Sequence, residues 1–118
     1  MTAPMTLKPE ILKKRAEFLA AARARHKGTK GLMLQGLKRE DGFEALRVGF
    51  TCSKKVGNAV ARNRAKRRLR EVARMVLPEH GRAGWDYVLI GRAGATAARP
   101  FEELKGDLIY ALKKVHEK

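Results

Sequence analysis

The chain has 118 residues, a single cysteine, and 27 Lys plus Arg against 12 Asp plus Glu, for a formal net charge of +15. That length suits one domain, 1–118, with no room for a second core, and the lone Cys52 excludes an intrachain disulfide or a multi-cysteine zinc site while fitting a reducing cytoplasm. So large an excess of one charge repels itself in a compact state unless a polyanion covers it, which puts nucleic acid first and an anionic membrane surface second.

Residues 1–8 read as loose, and MTAPMTLKPEILKK lacks the apolar stretch of a secretory signal. No apolar run nears the roughly 18 residues of a membrane span, so the expected location is the cytoplasm. Pro9 can open a helix, with Ile11, Leu12, Phe18, Leu19 and Ala22 near helical spacing to about Arg25; the start could be as late as Lys14. His26 to Gly31 breaks it. Leu32 to Leu37 reads as a strand and Arg39 to Gly42 as a turn. In 45–53, Val48, Phe50 and Cys52 point one way, and Gly49, Thr51 and Ser53 the other. Asn58 is an N-cap for a long helix from Ala59 to about Leu77, ended by Pro78 and Gly81. WDYVLIGR, 85–92, is apolar on both faces at its middle and should be central in its sheet. After a connector to Arg99, Pro100 opens a last helix whose buried stripe is Phe101, Leu104, Leu108, Leu112 and Val115. The order predicts an α+β sandwich, one layer of helices on a sheet.

The informative stretch is the long helix. At 100° per residue, Ala61, Ala65, Leu69, Val72 and Val76 gather on one side. Between Arg62 and Arg74 stand seven basic residues and one acid, Glu71. Like charges four apart, as in Arg62/Lys66/Arg70/Arg74, cost about 0.2–0.5 kcal/mol each in an isolated helix. Solvated faces normally mix signs; this one does not, and it calls for a phosphate-rich partner. Arginine dominates, and its planar fork pairs bidentately with phosphates and base edges. The helix alone does not separate RNA from DNA. Just upstream, Thr51 and Ser53 offer hydroxyls beside Lys54 and Lys55. Such a strip next to an aromatic can hold a single strand by charge and base stacking. Phe18 is the candidate aromatic, with core packing as its alternative.

These residues resemble a known family. RVGFTCSKKVGNAVARNRAKRRLREVAR, 47–74, is similar to the signature segment of the bacterial ribonuclease P protein, Arg62-Asn63-Arg64 included. KKRAEF (13–18), WDYVLIGR (85–92) and the Leu-rich last helix agree with it. The resemblance implies a four-stranded sheet with three helices, the Arg-Asn-Arg helix lying in a left-handed βαβ crossover that handedness rules would not anticipate. The fourth strand would be a short piece around Lys27–Lys30. It implies a protein subunit that assists a catalytic RNA in removing the 5′ leader from precursor tRNA. By that similarity Arg62, Asn63, Arg64, Lys66, Arg67, Arg68 and Arg70 would face the catalytic RNA. Phe18, Thr51, Ser53, Lys54 and Lys55 would line the leader cleft between the first helix and the sheet. Family members often carry two further aromatics where this chain has Ala22 and Gln35, so leader contacts here would rest more on backbone charge. Mg²⁺ would be held mainly by the RNA.

The residues themselves offer no catalytic set. The acids are scattered, with no cluster for paired metals. His26, His80 and His116 read as exposed and incidental, and Cys52 as a small apolar filler. Three other readings compete. A ribosomal or general RNA-binding protein would be indifferent to leader length. A DNA-binding helix module is opposed by the absence of a paired helix-turn-helix pattern. A stand-alone ribonuclease lacks ligands.

Overall fold

The structure, a computed structural model, describes residues 9–52 and 54–117. Its sheet has five strands in the order β1-β4-β5-β3-β2: β1 is Glu10–Ile11, β2 Arg25–Gly28, β3 Leu32–Lys38, β4 Arg47–Cys52 and β5 Trp85–Gly91. Four α-helices accompany it, α1 Arg15–Ala22, α2 Ala59–His80, α3 Ala95–Ala98 and α4 Phe101–His116. The α+β sandwich is as expected, with one strand and one helix more than the anticipated four and three.

β5 is the central strand, parallel to β4 and antiparallel to β3. Its alternate residues serve two cores. Trp85, Tyr87 and Leu89 pack with Leu69, Val72, Val76 and Leu77 of α2 and Leu104, Leu108 and Leu112 of α4. Val88, on the opposite face, packs with Leu12 and Ala21, flanked by Phe18 and Ile90. One face of the sheet thus carries two long helices. Among the described residues the helix on the other is α1, eight residues long.

Three boundaries differ from expectation for identifiable reasons. The segment after Pro9 is a strand: the Glu10 and Leu12 N–H groups donate to the Leu46 and Val48 carbonyls at 2.8 and 2.9 Å. The edge of β4 offers those acceptors, and Leu12 is buried from an extended backbone. α1 therefore starts at Arg15, where the Glu17 carboxylate accepts from the Lys14 N–H at 3.2 Å. The chain from Arg25 forms β2, paired to β3 with Arg25 opposite Gly36, a little earlier than the short piece anticipated at Lys27–Lys30. Arg25 donates to the Val115 carbonyl at 2.9 Å and lies over the Trp85 ring, which ties this edge to α4. Finally, Pro78 sits inside α2, which runs on to His80. A proline in the last turn removes one internal bond. Val76 and Leu77, both buried, hold the turn in place, and the Gly81 N–H closes it onto Leu77.

Candidate nucleic-acid interface

Two surfaces flank the end of β4. The first is the basic face of α2. Gly57, at φ +135°, makes the turn into the helix in a conformation that side-chain-bearing residues rarely adopt. The Asn58 Oδ1 then accepts from the Ala61 N–H at 2.9 Å, the expected N-cap. Burial of Ala65, Leu69, Val72 and Val76 turns the other side outward. Asn63, Arg64, Arg67 and Arg70 are exposed; Arg62, Lys66 and Arg68 are half-buried. Among the described residues the one carboxylate paired on this helix is Glu71, with Arg74; none pairs with the basic residues from 62 to 70.

Three of those cations have other engagements. Arg62 donates to the Gly57 carbonyl at 2.8 Å and so braces the turn. Arg70 lies 5.8 Å from the Phe50 ring centre. Arg68 reaches away from its neighbours: its fork donates to the carbonyls of Ala97 and Arg99 at 2.8 and 2.6 Å, above the Phe101 ring. It closes the orphan carbonyls behind α3.

The second surface is a groove of about 450 Å³ between α1 and the uncovered part of the sheet, with Phe18, Gln35, Thr51 and Ile90 in its walls and Lys13 and Arg15 at its lip. Gly49 shapes it. A Cβ there would stand 2.5 Å from the Phe18 ring, so only glycine lets that ring lie down on β4. Phe18 and Thr51 are half-buried. Lys54 and Lys55, both exposed, continue from β4 in a one-turn 3-10 helix, Lys54–Val56. Ser53 lies outside the described residues. Gln35 takes a place in the groove wall, while Ala22 is exposed at the end of α1.

The position of α1, and hence of Phe18, depends on residues not singled out from sequence. Asp86 is 1 % exposed within β5. Arg47 grips it with two bonds, at 2.8 and 2.7 Å, and Arg39 adds a third at 2.7 Å. Arg47 also reaches Glu17 of α1 at 2.8 Å. The hydrogen bonds that Arg47 donates to Asp86 push the pKa of its guanidinium further up. The Lys14 N–H, then the charge of Arg47, hold the Glu17 carboxyl below its usual range. Arg39 spends its remaining donors on Asp41 and the carbonyls of Phe43, Ala45 and Trp85. An aspartate inside an otherwise apolar strand was the available signal, because a buried carboxylate requires partners.

His26 and His80 are exposed, as expected. His116 is not. Its Nε2 and the Tyr87 hydroxyl share a hydrogen bond of 2.6 Å, and the ring packs edge-on against Trp85. Burial lowers its pKa to about 4 and pushes that of Tyr87 up. The helical pattern placed His116 at a frayed end, but α4 reaches back over the start of β5. Cys52 packs beside Gly91 and Ala65 under α2. Among the described residues no three His, Cys, Asp or Glu side chains gather where they could hold a metal ion, and no helix is long and apolar enough to cross a membrane.

The family model described as Ribonuclease P matches residues 7–116. The ribonuclease P protein component of Ruegeria pomeroyi is 65% identical over 107 residues, covering 90% of this chain and 86% of that one. That of Caulobacter vibrioides is 51% identical over 110 residues, covering 93% and 73%. Among solved structures, the Staphylococcus aureus RNase P protein superposes with a TM-score of 0.70 at 27% identity, covering 91% of this chain and 95% of that one. The Thermotoga maritima protein superposes with a TM-score of 0.71 at 26% identity, covering 89% and 96%. The fold, the basic helix and these matches agree: the chain belongs to the ribonuclease P protein family.

Proposed function

We propose that this chain, as the protein subunit of ribonuclease P, works by binding two RNAs at once. The exposed basic face of α2 lies against the catalytic RNA, through Asn63, Arg64, Lys66, Arg67 and Arg70. The groove under α1 takes the single-stranded 5′ leader of precursor tRNA, with Phe18 as stacking surface and Thr51, Ser53, Lys54 and Lys55 along the backbone. The observation that carries this reading is the set of guanidinium groups on α2 that no carboxylate of the described residues neutralises. Arg62 and Arg68 take a different part: they brace the turn into α2 and the connector behind α3, and so hold the contact face in shape.

Hydrolysis is assigned to the RNA, with Mg²⁺ held there. The protein adds leader contacts that mature tRNA cannot make, which favours substrate over product. It acts as one domain in the cytoplasm, where Cys52 stays reduced.

Reconstitution tests this. The protein, the ribonuclease P RNA of the same organism and a precursor tRNA are mixed at low Mg²⁺. Cleavage should be stimulated over RNA alone, and the protein without RNA should not cut. Phe18→Ala should reduce the preference for leader-bearing substrate over mature tRNA. An equal loss for both would refute the groove.

A further inference from the structure

The β2 edge of the sheet carries an exposed aromatic that neither RNA surface uses. Tyr110 of α4 is 47% exposed. The ammonium groups of Lys27, on β2, and Lys114, one helical turn on, lie 5.7 and 5.6 Å from its ring centre. Nearby acids leave this arrangement net positive: Glu117 is drawn to Lys114 at 3.6 Å, while Glu103 and Asp107 are engaged by Arg99.

A ring flanked by mobile cations is the arrangement that holds unpaired nucleotides: a base lies on the aromatic, and the ammonium groups turn to its phosphates on flexible stems. A duplex keeps its base faces stacked inside and gains little from such a ring. Position narrows the ligand further. His26, the residue before Lys27, pairs with Gln35, which stands in the wall of the α1 groove. Alternation along β2 puts His26 on the groove side and Lys27 on the α4 side. A strand that crosses the groove toward β2 therefore meets His26, turns round a sheet edge that no other described strand pairs with and arrives at Lys27 and Tyr110.

We infer that Tyr110, Lys27 and Lys114 form a second single-strand site, which takes leader nucleotides upstream of those in the groove. This rests on the groove reading and extends it: leader length beyond the groove is sensed on the far side of the sheet.

The test uses the reconstituted holoenzyme and precursor tRNAs with leaders graded from a few nucleotides to long ones. Tyr110→Ala, and separately Lys27→Ala with Lys114→Ala, should weaken binding of long-leader precursors about fivefold or more. Short-leader precursors and mature tRNA should bind as before. Tyr110→Phe, which keeps the ring, should behave as the unaltered protein. Affinities unchanged by Tyr110→Ala at every length would overturn the site. So would an equal loss at every length, mature tRNA included, because the ring would then be touching the catalytic RNA or the tRNA body. Phe18→Ala in the same series should affect short and long leaders alike. A failure there strikes the groove, whereas a silent Tyr110→Ala strikes the edge site alone.

Discussion

Two sets of arginines, one around β4 and β5 and one on α2, behave in opposite ways. Arg39 and Arg47 converge on the buried Asp86, and nearly every donor of Arg39 meets an internal acceptor. Arg64 and Arg67, on α2, stand in solvent and form no ion pair with a carboxylate among the described residues. Both sets count equally toward the net charge of +15. Only the second is available to a partner. Net charge therefore points to a polyanion, while the geometry of each guanidinium says which residues meet it.

The contrast can be broken at its internal side first. Asp86→Ala leaves two guanidinium groups without their shared partner, one of them with a side chain only 7% exposed. It should cost about 3–5 kcal/mol in urea unfolding. A cost below about 1 kcal/mol would mean that the cluster is ornamental. A smaller effect should come from pH. The His116 pKa of about 4 lies below the ordinary 6.5, so the unfolded chain binds a proton that the folded one refuses. Stability should fall as pH drops from about 6.5 to about 4, by about 2 kcal/mol once partial solvent exposure of the ring is allowed for, with no further loss from this group below. His116→Phe should remove that part of the pH dependence; an unchanged profile would show that burial of His116 is not its source. Smaller again, Arg68→Ala gives up two charge-assisted bonds to carbonyls and should cost about 1.5 kcal/mol. Arg68→Lys should recover only part, since one ammonium cannot reproduce the fork. If Arg68→Ala leaves stability intact and weakens RNA binding as much as Arg67→Ala, Arg68 belongs with the contact set.

Most of the architecture was legible because period and capping agree over long elements. Asn58, the α2 stripe and the double-sided apolar run of 85–92 all fell where a simple reading puts them. The N-terminal strand was not legible, because Ile11 and Leu12 fit a helix as well as an edge strand, and the carbonyls that capture this segment belong to Leu46 and Val48, far along the chain. Arg25–Gly28 was blurred for the same reason: its polar composition gives no strand signal, and its pairing with β3 decides the matter. At the interface, the basic helix was plain from residue type alone. The Asp86 cluster depends on bonds between residues up to 47 apart in sequence, which spacing cannot reveal.

The central claim is tested most directly by one titration: binding of Arg64→Ala/Arg67→Ala to the catalytic RNA across a range of salt. These are exposed positions, so unfolding stability should stay within about 0.5 kcal/mol of the unaltered protein. Affinity at low salt should drop tenfold or more, and the log–log salt slope should flatten by about 1.4–1.8, because two phosphates would go unneutralised. An unchanged slope with unchanged affinity would contradict the account, because the free arginines of α2 would then have no RNA to meet.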